Sequence, residues 1–169
     1  MRRLILIRHA KTEPAGGVAD FDRRLVARGR ADALRLAEWF RKNRQSADLL
    51  AHSTAARAVE TADAIANGWM LGKPRQPAPE LYGAPWREIL KYVRSLPDSA
   101  KTAVIVGHNP GIFDLANILT GSGEAALRGR LSEKMPTCGC AALDFSDRSW
   151  SQLESGGGKL SLYLTPDTF

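Results

Sequence analysis

The sequence is poor in the residues that build metal centres and disulfide frameworks, and it has no long apolar run. Its 169 residues include two cysteines, Cys138 and Cys140, and three histidines, His9, His52 and His108. So few soft ligands exclude a zinc framework, and no dense carboxylate cluster invites a hard cation, so neither a metal nor a cofactor is expected. Two cysteines separated by one residue fall on the same face of a strand and bond poorly to each other, so both are expected as reduced packing residues. No apolar stretch approaches the roughly 20 residues of a membrane-spanning helix. The opening Met1-Arg2-Arg3-Leu4-Ile5-Leu6-Ile7 runs into Arg8-His9 without a small-residue cleavage site. It reads as a first core strand rather than a leader, and a cytoplasmic location with no membrane partner is expected. Repeats, low-complexity segments and long linkers are absent. Aromatic residues make up 7% of the chain, and the tryptophans Trp39, Trp69, Trp86 and Trp150 share no spacing, so they read as packing residues. The net charge of +6 suits an anionic partner. It comes without the basic-aromatic stripe of a nucleic-acid module, and no nucleic acid is expected.

What is present is a hydrophobic fraction of 44%, enough for a core, in a length that suits one domain over residues 1–169. Strand and helix patterns alternate, which implies a three-layer α/β/α sandwich around a mainly parallel central sheet. Residues 4–7 are apolar on both faces, as in a buried parallel strand. Ala33, Leu36, Ala37 and Phe40 keep helical spacing within 29–43, and 48–51 is a short second strand. Ala55, Ala58, Val59, Ala62, Ile65 and Ala66 form a second helical stripe that stops at Asn67-Gly68. Pro85 opens a helix with Ile89, Leu90 and Val93 inward, 103–106 is another buried strand, and Pro110 starts a helix that Gly121 ends. Residues 138–145 and 160–164 read as later strands, joined through a loop with Gly156-Gly157-Gly158.

The chemistry is suggested by position. Arg8-His9 follows one strand directly, Gly107-His108-Asn109-Pro110 follows another, and Ser53-Thr54-Ala55-Ala56-Arg57 leads from a third into a helix. Ligands of open parallel sheets bind beyond the carboxyl ends of the strands, so these segments deliver two histidines and two arginines to one rim. Helix N-termini near Ala55 and Pro110 add backbone donors, making an anion site suited to phosphate. A neutral imidazole is a competent nucleophile near pH 7, and two guanidiniums with a second imidazole can surround a transferring phosphoryl group without Mg²⁺.

Four segments carry a family resemblance. They are Leu6-Ile7-Arg8-His9-Ala10-Lys11-Thr12, Asp22-Arg23-Arg24-Leu25 with Ala27-Arg28-Gly29-Arg30, Ser53 to Arg57 with Glu60-Thr61-Ala62, and Val104 to Gly111. Together the chain resembles the histidine phosphatase, or phosphoglycerate mutase-like, superfamily, and within it the SixA-type phosphohistidine phosphatases. The resemblance implies the phosphoglycerate mutase-like fold and a covalent phosphohistidine at His9. Arg8, Arg57 and His108 would complete the phosphate pocket. Separately from the resemblance, Lys11 and Asn109 are candidate substrate contacts, and Lys11, like Arg28, either guides an acidic partner or is an ordinary solvated charge. Glu80, in Pro79-Glu80-Leu81-Tyr82-Gly83, falls where many members carry a proton donor. Ala10 replaces the usual glycine, and Thr54 stands where proline is common.

The expected partner is a phosphorylated protein, carrying phosphohistidine, or a small phosphate ester. The competing readings are a small-molecule phosphatase or mutase of the same fold and a non-catalytic phosphate-binding module. Plain structural roles are expected for His52, for Ser53 as a helix N-cap, and for Asp20 and Asp22 as anchors of the loop's arginines.

Overall fold

A computed structural model describes residues 1–146 and 149–169. Apolar residues on both faces make β1 (Arg2–Arg8) a central strand, with Leu4, Ile5, Leu6 and Ile7 fully buried. The chain continues through α1 (Ala27–Lys42), β2 (Leu49–His52), α2 (Ala56–Gly68), β3 (Arg75–Pro77), α3 (Trp86–Arg94) and β4 (Thr102–Gly107). It then forms α4 (Gly111–Leu119), β5 (Thr120–Gly123), α5 (Ala125–Glu133), β6 (Cys140–Phe145) and β7 (Gly158–Leu164). The sheet order is β3-β2-β4-β1-β6-β7-β5. The β3-β2-β4-β1 half is parallel, while β6 runs antiparallel to both β1 and β7. This is the mainly parallel α/β architecture, with helices on both faces of the sheet, that the alternating pattern leads one to expect.

The sheet separates two cores. Leu4, Leu6, Ile105, Leu143 and Trp150 lie with α3 and α4 on one face. Ile5, Ile7, Phe40, Ile65 and Val104 lie with α1 and α2 on the other. Trp69 stacks on Phe40 at 4.2 Å, Trp39 meets the same ring edge-on, and Trp150 is fully buried.

Several boundaries differ from the expectation. The 138–145 segment is strand only from Cys140, because Cys138 has a left-handed φ of +60° and belongs to the preceding turn. The two cysteines therefore do not share a strand face; both are free and buried. Pro85 and Pro110 do open their helices, as N-caps, and α4 stops at Leu119 with Thr120 as C-cap and Gly121 just beyond, as expected. β3, β5 and α5 were not expected. β3 carries Pro77 on an edge strand, where a missing N–H is tolerated.

Candidate active site

Register brings the chemistry together. β4 lies between β1 and β2, and Arg8 pairs with Gly107 while His52 pairs with Val106. The three strands end level, so His9, Ser53 and His108 leave the sheet side by side. Their backbones are tied there: His9 N–H donates to Gly107 O and Ser53 N–H to Val106 O, both at 3.0 Å. His9 O in turn accepts from Cys138 N–H, and Arg8 N–H donates to Gly139 O. The turn that takes Cys138 out of strand geometry thus clasps the Arg8-His9 peptide.

Glycines let the flanking loops close on this rim. A Cβ on Gly29 in α1 would stand 2.1 Å from the carbonyl oxygen of Lys11, two residues beyond His9. One on Gly111, at the start of α4, would stand 2.1 Å from the carbonyl oxygen of Ala84. Substituting either position forces the loop away. The same loop after His9 is held by α2, where Thr61 Oγ1 accepts from Ala10 N–H at 3.0 Å.

The cavity, of about 470 Å³, is lined by Arg8, His9, Asp20, Arg23, Arg57, Tyr82, Gly83, His108 and Asn109. His9 and His108 are buried with ring centroids 5.2 Å apart. His9 Nδ1 lies 2.8 Å from Ala10 O. A carbonyl only accepts, so Nδ1 carries the proton and Nε2 keeps its lone pair. Burial lowers the pKa of His9 to about 3 and that of His108 to about 4, reinforced by the nearby guanidiniums. Both rings are therefore neutral at pH 7. His108 Nε2 lies 2.7 Å from Ser53 Oγ. That oxygen also accepts from Ala55 N–H at 3.3 Å, so Ser53 works inside the site rather than as the N-cap of α2, which is Ala55. Arg8 Nη1 and Asn109 Nδ2 both donate to Met135 O, at 3.1 and 2.9 Å. Arg8 Nε, Arg57 Nε, His108 Nδ1 and Asn109 Oδ1 are buried without a protein partner. Polar atoms in that condition, clustered around one cavity, suit a polar, multiply bonded guest.

Asp20 dominates the mouth. It sits in a 3-10 turn (Asp20–Asp22) and receives Arg57 Nη1 at its carbonyl (2.6 Å) and Nη2 at Oδ2 (3.0 Å). Arg23 donates to Oδ1 through Nε and Nη2, and Tyr82 OH to Oδ2 at 2.7 Å. Tyr82, then Arg23, then Arg57 hold the carboxyl far below the usual carboxylate range, so it stays ionised. It also supplies the anion that a cation such as Arg57, near the positive end of α2, requires.

Of the residues singled out from sequence, Arg8, His9, Arg57, His108 and Asn109 converge. Glu80 does not. Its 3-10 turn (Pro79–Leu81) directs it to a separate cavity with Glu88, Lys91, Tyr92 and Ser95, and Tyr82 takes the place beside His108. Lys11 is exposed and outside the cavity lining. His52 is satisfied elsewhere: Nδ1 donates to Ser53 O at 2.8 Å and Nε2 accepts from Arg75 at 2.9 Å. Asp20 holds a loop arginine, Arg23, as expected, but it also reaches Arg57, 37 residues on. Sequence reasoning missed the place of Tyr82 and the Ser53–His108 contact. The one available signal was their adjacency to segments already chosen.

Residues 4–82 match the model of the histidine phosphatase superfamily, branch 1. A chain of Agrobacterium tumefaciens assigned as the phosphohistidine phosphatase SixA is 30% identical, with 98% of each chain covered and a TM-score of 0.82. The chain belongs to the histidine phosphatase superfamily. One from Nakamurella multipartitia with the same assignment is 29% identical, covers 98% of this chain and 96% of its own, and has a TM-score of 0.85. An uncharacterised protein of Mycobacterium tuberculosis is 35% identical over 162 residues, 95% of this chain and 99% of its own length. This histidine phosphatase is accordingly a SixA-type member and a phosphatase. Among its described residues no helix is long and apolar enough to cross a membrane.

Proposed function

We propose that this histidine phosphatase hydrolyses phosphohistidine on a partner protein through a covalent phospho-His9. The observation that carries the reading is the His9 ring. Its Nδ1–H is spent on Ala10 O, and it is neutral at pH 7, beside Arg8, Arg57 and His108 in one cavity. In the first step the Nε2 lone pair of His9 attacks phosphorus in line, the P–N bond breaks, and its electron pair stays on the departing imidazole. Arg8, Arg57 and His108 face the charge spread over the equatorial oxygens. In the second step water attacks phospho-His9, releasing inorganic phosphate and returning the lone pair to Nε2.

Substrate class follows from the shortage of acids. Among the described residues Asp20 is the one carboxylate lining the cavity, and its hydrogen bonds keep it ionised. An alcohol leaves poorly without a proton donor, whereas imidazole protonated on its distal nitrogen leaves neutral without one. The open mouth admits a side chain presented by another protein. The buried free thiols Cys138 and Cys140 suit a reducing compartment, and we assign the activity to the cytoplasm.

The test incubates wild type and His9→Ala with ³²P-phosphohistidine protein and with small phosphate esters. Wild type should release phosphate chiefly from the former and carry acid-labile label; the variant should do neither. Faster hydrolysis of sugar phosphates, or unlabelled enzyme at full turnover, would sink the proposal.

A further inference from the structure

Four rings run in series from the nucleophile to the surface. His9 and His108 are 5.2 Å apart, His108 and Tyr82 meet edge-on at 5.6 Å, and Tyr82 and Phe21 meet edge-on at 5.1 Å. Exposure rises along the series, from 7% and 6% at the histidines to 38% at Tyr82 and 40% at Phe21. The outer two rings therefore contribute little to either core. Tyr82 is nonetheless held firmly: its hydroxyl donates to Asp20 Oδ2, and the Arg57 guanidinium carbon lies 6.0 Å from its ring centre. Phe21 follows Asp20 directly in the same short turn. A ring positioned this firmly at a cavity mouth is placed for contact.

The direction of transfer says contact with what. An in-line attack puts the leaving group opposite the nucleophile. His9 is at the buried end of the series, so the group that departs lies toward the exposed end, beside Tyr82, which lines the cavity and carries Phe21 packed against its ring. We infer that Tyr82 and Phe21 form an aromatic wall that receives the leaving group. The site then selects phosphoryl groups carried on planar rings over those carried on aliphatic chains. The recognised chemistry is a flat ring, and its carrier is an imidazole or a phenol. This inference rests on the phosphatase reading above and adds a specificity determinant to it.

The test separates the ring from the scissile bond. Four substrates are compared: phosphoimidazole (ring, P–N), phosphoramidate (no ring, P–N), phenyl phosphate (ring, P–O) and propyl phosphate (no ring, P–O). The readouts are two ratios of kcat/KM, phosphoimidazole to phosphoramidate and phenyl to propyl phosphate. Phe21→Leu and Tyr82→Leu should each lower both ratios by about three- to tenfold, while Tyr82→Phe, which keeps the ring and loses only the hydroxyl that pins it, should lower them less than Tyr82→Leu. Thermal melts show that each variant is folded. Both ratios unchanged in the leucine variants, or a loss that follows the P–N bond instead of the ring, would overturn the wall. A wild type that turns over none of the four would overturn the phosphatase reading, and the wall with it. The ratio that falls further in the leucine variants identifies the carrier ring, because intrinsic leaving-group reactivity cancels in that comparison.

Discussion

The floor and the mouth of the cavity are built on opposite plans. The floor is made of strand ends: His9 and His108 are buried, their backbones are bonded to adjacent strands, and several side-chain nitrogens have no protein partner. The mouth is made of loop: the Asp20 side chain is 52% exposed, yet its two carboxylate oxygens receive Arg23, Arg57 and Tyr82. Unsatisfied donors in a buried place favour an incoming anion, whereas satisfied donors in an exposed place hold a shape. The floor is therefore suited to chemistry and the mouth to selection.

On that division, substitutions should differ in size and kind. His9→Ala should lower kcat/KM by roughly 10⁴-fold or more, as loss of a covalent nucleophile does. A loss below about a hundredfold would return the chemistry to another group. Arg57 spans both regions, and Arg57→Ala should lower kcat by roughly 10²–10³-fold. Arg23→Ala, confined to the mouth, should act mainly on KM by about tenfold. Equal effects on kcat in steady-state assays would erase the distinction.

Acid should strike the floor. With folded-state values of about 3 for His9 and 4 for His108, the unfolded chain, titrating near 6.5, binds more protons between those limits. Stability therefore rises with pH across that window and is lost as pH falls from about 6.5. Urea midpoints at pH 7, 5 and 4 should decrease, and the decrease should be smaller in His9→Gln/His108→Gln. An equal decrease would remove the two rings as its source. The acid limb of kcat/KM, corrected for the substrate's own ionisation, should likewise lie well below 6.5. The smallest effect belongs to Glu80→Gln, which should leave kcat/KM within about twofold because that carboxylate faces another cavity.

The parallel half of the sheet was legible because β1, β2 and β4 are apolar on both faces and alternate with helices of clear period. The half that contains β6, antiparallel to both its neighbours, was less so. β5 is Thr-Gly-Ser-Gly, which becomes strand only because β7 offers it a ladder. α5 buries a single residue, Leu131, so it has no apolar stripe to read. Glu80 illustrates the same limit inside the site: its neighbourhood could be read from sequence, but a 3-10 turn decided which of Glu80 and Tyr82 entered the cavity.

The sequence by itself determined that Arg8-His9, Ser53 to Arg57 and His108-Asn109 would leave the carboxyl ends of buried strands at one rim of the sheet, because buried strands announce themselves by composition. Only the tertiary structure decided that Asp20 and Tyr82 would close over them, with Phe21 packed on the Tyr82 ring. Those contacts join loop residues tens of positions apart, and loop conformation is set by hydrogen bonds that exist only once the sheet has brought the loops together.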